Sequence, residues 1–163
     1  MAKFEKISFD EFSKVFAQEF ESEAKLKESY NTFHLPLHMT ETSAGHDFHT
    51  VVPFTIPPGV MKLIPTGVKC QLEPNQVLML CPRSSTGIKK NLMLANTVGI
   101  IDSDYYNNPD NEGHIYLPLY NYGNEIVKGY VGDRFVQGII TRFEVADNSG
   151  TGSVREGGMG STT

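Results

Sequence analysis

From Asn31 to Val145 the chain is interrupted by turn signals at short, regular intervals. Pro57-Pro58-Gly59, Pro65-Thr66-Gly67, Glu73-Pro74-Asn75-Gln76 and Tyr122-Gly123-Asn124 cut it into brief apolar pieces. Proline fixes φ and removes a backbone donor, and glycine opens positive φ, so each cluster ends the element before it. The pieces cover Phe33–Leu37 and residues 48–54, 60–72, 77–81, 92–95, 114–120, 125–130 and 134–145. They are rich in Val, Ile, Leu and aromatic residues and lack helical periodicity. That pattern predicts short strands with no helices between them, an all-β jelly roll or β-barrel with antiparallel pairing.

Residues 8–25 read differently. Ser8-x-x-Glu11 has the form of a capping box, and Phe12, Val15, Phe16 and Phe20 recur at helical spacing. This predicts one amphipathic helix in an N-terminal extension (1–30), before a β-domain (31–147) and a glycine-rich tail (148–163). With 163 residues the chain is long enough for one domain with a sizeable core. Its net charge of -5 argues against a broad nucleic-acid or anionic-membrane surface. No apolar run is long enough for a membrane span, and Met1-Ala2-Lys3-Phe4-Glu5 does not open a secretory signal, so the expected location is cytoplasmic. If residues 73–76 close a hairpin, Cys70 faces Met79 and stands out of register with Cys81, which predicts two reduced thiols.

Two segments carry chemistry. Arg83-Ser84-Ser85-Thr86-Gly87 offers a cation, hydroxyls and a glycine suited to phosphate oxygens. Gly99-Ile100-Ile101-Asp102-Ser103-Asp104-Tyr105 sets a carboxylate and an aromatic ring three residues apart after an apolar run, suited to activating water beside a flat ligand. The tail, with Arg155 among its glycines, suits a segment that folds over phosphates and closes the site.

Five ordered motifs make the pattern specific. They are Ala44-Gly45-His46-Asp47-Phe48, Pro82 to Gly87, Asn96 to Tyr105, Gly132-Asp133-Arg134-Phe135-Val136-Gln137, and Gly157-Gly158-Met159-Gly160-Ser161-Thr162. In this order and spacing the chain resembles the trimeric dUTPase family from about residue 33 to its end. The resemblance implies hydrolysis of dUTP to dUMP and pyrophosphate, which limits uracil in DNA and supplies a thymidylate precursor. Asp102 is implied as the general base for water attacking the α-phosphorus, and Tyr105 as the ring against the deoxyribose. Asn96 and the backbone through Gly99 and Ile101 would read the uracil edge. Ser84 would contact the leaving pyrophosphate, with Ser85, Thr86 and Gly87 beside it. Arg83 would pair with Asp47, and Gln137 would bind phosphate. Arg134 would bind phosphate or hold a subunit interface. Mg²⁺ is implied as a cofactor held by the substrate phosphates, touching Asp47 only through water. A homotrimer with shared sites is implied, with neither nucleic acid nor membrane as partner.

The sequence departs from the family pattern at Tyr106 to Gly113, where a longer loop follows Tyr105, and in the tail. There Arg155 precedes Gly157 by two residues rather than three, and Met159 replaces the usual aromatic lid, which weakens the assignment of Arg155 to the γ-phosphate. Gly160 and Ser161 complete the fifth motif. Two rival readings share the fold. A dCTP deaminase would need a glutamate where Pro118 stands. A protein acting through a regulatory partner would use the unshared surfaces, the N-terminal helix and the 107–112 loop.

Overall fold

The computed structural model describes residues 1–147. In chain order the elements are β1 (Lys3–Lys6), α1 (Phe9–Phe16), a 3₁₀ turn (Ala17–Glu19), α2 (Glu23–Thr32), β2 (Leu37–His38), β3 (His46–His49) and β4 (Phe54–Ile56). There follow β5 (Met61–Pro65), β6 (Val68–Gln71), β7 (Gln76–Pro82), α3 (Ser84–Lys90), β8 (Leu92–Leu94) and β9 (Gly99–Ile101). A second 3₁₀ turn (Ser103–Tyr105), β10 (Tyr116–Asn121), β11 (Val127–Gly129) and β12 (Arg134–Arg142) complete the series. The largest sheet runs β2-β3-β12-β7-β9, beside a β5-β10-β8 sheet and the pairs β11-β4 and β1-β6. Every pairing is antiparallel. The fold is mostly β and consistent with the expected jelly roll.

The main core lies between the sheets, where Leu78, Leu80, Leu92, Leu94, Leu119, Phe48, Phe135 and Val136 are buried. Strand β10 shows how the sequence chooses a face. Leu117, Leu119 and Asn121 alternate inward with Tyr116, Pro118 and Tyr120, the period of two that a pleated strand imposes. Asn121 is a polar residue in that inward row, and its amide is fully used. Its Nδ2 donates to the carbonyls of Ile56 (2.9 Å) and Glu125 (2.8 Å), and its Oδ1 accepts from Gly123 N–H at 3.0 Å, so burying it leaves no orphan.

The N-terminal extension differs from the single helix expected over 8–25. It begins with a strand, β1, which pairs with β6 from Lys3↔Gln71 to Lys6↔Val68. The helix then breaks in two. Phe20 turns to extended backbone, and Ser22 Oγ accepts the Lys25 N–H at 3.3 Å to start α2, a cap signal that a purely apolar count overlooks. Ile7, Phe12, Phe16, Leu26, Val51 and Val52 close a second core beneath these helices. Each fully buried phenylalanine there contributes roughly 1.5–3 kcal/mol.

Three further expectations need correction. Strands β6 and β7 do not form a hairpin about residues 73–76, because β1 takes the edge of β6 while β7 pairs with β12 and β9. Both cysteines are nonetheless free, Cys70 buried and Cys81 half-buried. A helix does lie between strands: residues from Ser84 form α3, which begins just after Arg83 and is ended by Asn91 in the left-handed region (φ 52°). Finally, the 48–54 piece is not one strand: it breaks between β3 and β4 at Thr50, whose N–H and hydroxyl both donate to the Asp133 carbonyl at 2.8 and 3.0 Å.

Candidate active site

The start of β12 is shaped by a bulge. Arg134 stands opposite His49 and Gln137 opposite Asp47, so three steps along β12 match two along β3. The extra residue puts Arg134 and Gln137 on one face, which a regular strand would not do at that spacing. Its trace in the sequence is the adjacent pair Phe135 and Val136, both buried. A tight turn delivers the strand: Asp133 N–H donates to the Tyr130 carbonyl (3.0 Å), and Gly132 supplies the positive φ of 85°.

This arrangement gathers three charged side chains. Asp47, with its side chain 6% exposed, accepts a hydrogen bond from Arg134 Nη1 at Oδ2 and is ion-paired with Arg83 Nε at Oδ1, each at 3.1 Å. Arg83 Nη1 also donates to the Arg134 carbonyl at 3.3 Å. Charge-assisted bonds of this kind are about twice as strong as neutral ones, so the carboxylate fixes both guanidiniums. Gln137 is placed by Gly45, since a Cβ there would lie 2.2 Å from Gln137 Oε1. His49 stands beside the network with Nδ1 buried and lacking a hydrogen-bond partner among the described residues. Burial, aided by His34 and Arg134, holds its imidazole below the usual histidine range.

Helix α3 brings the second motif to the same place. Arg83, Ser85, Lys90, Gly132, Asp133, Arg134 and Phe135 line a cleft of about 290 Å³. Arg83, Lys90 and Arg134 outnumber the two carboxylates near them, Asp133 in the lining and Asp47 behind the arginines, so the cleft keeps a net positive charge suited to an anion. Ser84 is exposed at the helix start, where first-turn N–H groups lack intrahelical partners. Thr86 is placed otherwise than expected. It is fully buried, its hydroxyl donates to the Phe135 carbonyl at 2.7 Å, and its N–H goes to the Arg83 carbonyl. Its part is to pin α3 to β12 and not to offer a hydroxyl to phosphate. The Gly87 N–H also points to the Arg83 carbonyl, at 3.3 Å. Lys90 was not anticipated; its only trace was a basic residue in a segment not read as helix.

The third motif lies on the β8–β9 connection. Asn96 is exposed at its turn, where Thr97 takes φ 62° and Val98 N–H closes onto the Asn96 carbonyl at 2.7 Å. A Cβ at Gly99 would lie 3.0 Å from Leu80 Cβ, so a side chain there would force Leu80 to move, and Ile101 flanks the main core. Asp102 follows, half-buried, with its carbonyl accepting the Tyr105 N–H at 3.2 Å. Tyr105, implied by the resemblance as the ring against the deoxyribose, is 3% exposed in the single chain. Its hydroxyl donates to the His114 carbonyl (2.9 Å) and accepts from Asn111 Nδ2 (3.0 Å).

The predicted residues thus form two groups. Ile101 stands opposite Leu78 in the β7–β9 ladder, and Arg83 lies five positions further along the chain, just past the end of β7. At about 3.3 Å per residue that is roughly 17 Å, well beyond hydrogen-bond reach. One chain therefore holds Asp102 and the anion cleft at opposite ends of β7. Arg155, Met159, Gly160 and Ser161 lie outside the described residues.

Among the described residues no three His, Cys, Asp or Glu side chains are grouped to hold an ion. Both oxygens of Asp47 already face arginines, and the cleft's donor set suits phosphate oxygens better than a cation. The residues present fit a divalent ion only if the ligand's own oxygens carry it. No helix among the described residues is long and apolar enough to cross a membrane.

The dUTPase family model matches residues 31–163. A deoxyuridine 5'-triphosphate nucleotidohydrolase of Lactococcus lactis is 45% identical over 130 residues, covering 78% of this chain and 87% of that protein. One from Haemophilus influenzae is 38% identical over 138 residues, covering 80% and 87%. The crystal structure of a dUTPase from Streptococcus mutans superposes with a TM-score of 0.67 at 43% identity, covering 70% of this chain and 89% of that one. With the match spanning the whole β-domain and the cleft built from its second and fourth motifs, the chain belongs to the dUTPase family.

Proposed function

We propose that this chain hydrolyses dUTP to dUMP and pyrophosphate, with Asp102 drawing a proton from the water that attacks the α-phosphorus. A carboxylate placed for this task typically contributes about 10²–10⁴-fold. Ser84 and Ser85 at the start of α3, with Lys90 and Arg134, hold the phosphates and stabilise charge growing on the leaving pyrophosphate. Asp47 anchors both Arg83 and Arg134 and so keeps the cleft's shape. Gln137, set by Gly45, is the further phosphate contact. Asn96 and the backbone about Gly99 and Ile101 read the base. Mg²⁺, held by the triphosphate, would neutralise its charge and orient it for in-line attack.

The observation that carries the reading is the cation-lined cleft, in a chain whose relatives are named for this reaction. The separation of that cleft from Asp102 supports a site shared between subunits, with Asp102 of one chain meeting the cleft of another in a homotrimer. Exposed Ile88 (81%), Ile126 (59%) and Val131 (67%) give the isolated chain apolar surface of the kind that assembly covers. The physiological purpose would be to keep uracil out of DNA and to supply dUMP.

Incubation with dUTP, dCTP, UTP and dTTP plus Mg²⁺ tests the substrate. Pyrophosphate from dUTP alone supports the proposal, and ammonia from dCTP replaces it with deamination. Asp102→Asn should lose about 10²–10⁴-fold in kcat. Co-expressing Asp102→Asn with Arg134→Ala should restore activity that neither variant has alone. Failure to complement would remove the shared site.

A further inference from the structure

Two parts of this chain lie outside what the family resemblance explains: the N-terminal extension and the loop after Tyr105. They are in contact with each other. Glu112 accepts the Ser8 N–H at one carboxylate oxygen (2.9 Å) and the Ser8 hydroxyl at the other. Lys69 approaches the same carboxylate at 3.3 Å and donates to Asn107 Oδ1 at 2.7 Å. Tyr106 donates its hydroxyl to Glu5 on β1. Burial alone would raise the Glu112 carboxyl, but the Ser8 hydroxyl, the Ser8 N–H and Lys69 outweigh it and hold the group below the usual range.

The backbone of the loop is unusual. Asn107 (φ 56°), Glu112 (φ 59°) and Gly113 (φ 82°) all take positive φ. For glutamate this is a conformation that persists only where the surroundings over-determine it. The Ser8 and Lys69 contacts supply that constraint. From Glu112 the path inward is short. Its carbonyl accepts the Asn107 N–H (2.9 Å) and its N–H donates to the Asn108 carbonyl (3.0 Å). Asn108 Nδ2 in turn donates to the Tyr105 carbonyl (2.9 Å) and to Asn111 Oδ1 (2.8 Å). Asn111 bonds the Tyr105 hydroxyl, and the Tyr105 N–H bonds the Asp102 carbonyl. Gly113 lies so close to Tyr105 that a Cβ would sit 2.6 Å from its carbonyl oxygen.

We propose that Glu112 is a positioning residue for the Asp102–Tyr105 turn, and that the N-terminal extension, through Ser8, is the clamp that holds it. The extension therefore acts on turnover and not only on stability. This rests on Asp102 being the base, so the two ideas must be tested separately. Wild-type and Asp102→Asn assays decide the base: if Asp102→Asn keeps full activity, the underlying reading is wrong whatever the clamp does.

The clamp is tested with Ser8→Ala, Glu112→Gln, their double variant and Ser8→Thr in the full chain. Steady-state kcat and KM for dUTP are measured well below each variant's melting temperature. Displacing a reacting group by about an ångström costs up to 10²-fold, so each single variant should lower kcat about tenfold, with KM within about threefold. Ser8→Ala removes only the hydroxyl contact and keeps the N–H, whereas Glu112→Gln weakens the hydroxyl, N–H and Lys69 contacts together, so the double variant should be no worse than Glu112→Gln alone. Ser8→Thr, which keeps the hydroxyl and the N–H, should keep kcat. A purely structural clamp would lower the melting temperature and leave kcat of the folded protein unchanged, and that result overturns the proposal. So does a double variant whose losses multiply. Should Glu112→Gln fail to fold, kcat of Ser8→Ala alone decides.

Discussion

His114 should make this protein lose stability in mild acid, and by an amount the structure sets. The residue is 0% exposed. Gly67 N–H donates to its Nε2 at 2.8 Å, so that nitrogen carries a lone pair and the ring's one proton sits on Nδ1. Protonating Nε2 would set two donors against each other in a site without water access. Burial accordingly pushes the imidazole down from 6.5 to about 3, although Glu112 nearby favours the charged form. The folded pKa lies below the unfolded one, so the unfolded chain takes up the proton first as pH falls. The stability is fully present above about pH 6.5 and is lost progressively from there toward pH 3. At pH 5 the unfolded state is almost wholly protonated and the native state is not, which costs about 2 kcal/mol.

The control is His114→Gln, whose amide oxygen can still accept from Gly67 N–H but does not titrate. Burial also lowers His46 and His49, so both proteins share their contribution and the difference between them isolates His114. The lowered carboxylates Glu5, Glu73 and Glu112 act in the same direction, but their window lies at and below the ordinary carboxylate range. Denaturant unfolding at pH 7.5 and pH 5.0, at one protein concentration because assembly is linked to stability, gives the two slopes. Wild type should lose about 2 kcal/mol more than the variant over this interval. For a chain of this size that corresponds to roughly 4–8 °C in melting temperature. Equal losses in the two proteins would refute the argument from burial and donor conflict.

Asp47→Ala should destabilise by about 2–4 kcal/mol, because it leaves two guanidiniums, each about 30% exposed, facing each other without a carboxylate; an unchanged denaturation midpoint would contradict this. Gly45→Ala should cost some stability, since the Gln137 amide can swing away but its Cβ, 3.1 Å from the added methyl, must shift, and it should raise KM for dUTP several-fold with a smaller effect on kcat; an unchanged KM would remove Gln137 from phosphate binding. Cys70, whose thiol burial pushes up to about 12, should resist alkylation at pH 8 in the native protein and react once unfolded, which peptide mass mapping reads directly.

What the sequence made legible was what is local. Turn clusters mark most strand ends, and Ser8 caps α1 through the Glu11 N–H at 3.1 Å as the spacing predicts. What it hid depends on distant partners. Lys3-Phe4-Glu5-Lys6 has no apolar run, and becomes a strand only because β6 offers an edge. Residues 84–90 include Thr86 and Gly87, poor helix formers, and are held helical by Thr86 bonding β12. The inward turn of Tyr105 follows from His114 and Asn111, which no pattern around Tyr105 announces. The other half of the capping box shows the reason most plainly. The Ser8 N–H was expected to find Glu11, but its acceptor is Glu112, 104 positions away. The two departures from the family pattern at either end of that bond therefore make one structural unit. The inserted loop can hold its positive-φ backbone because the added arm supplies donors to Glu112. The arm in turn gains an anchor beside the turn that carries Asp102, so a change to one should be felt by the other.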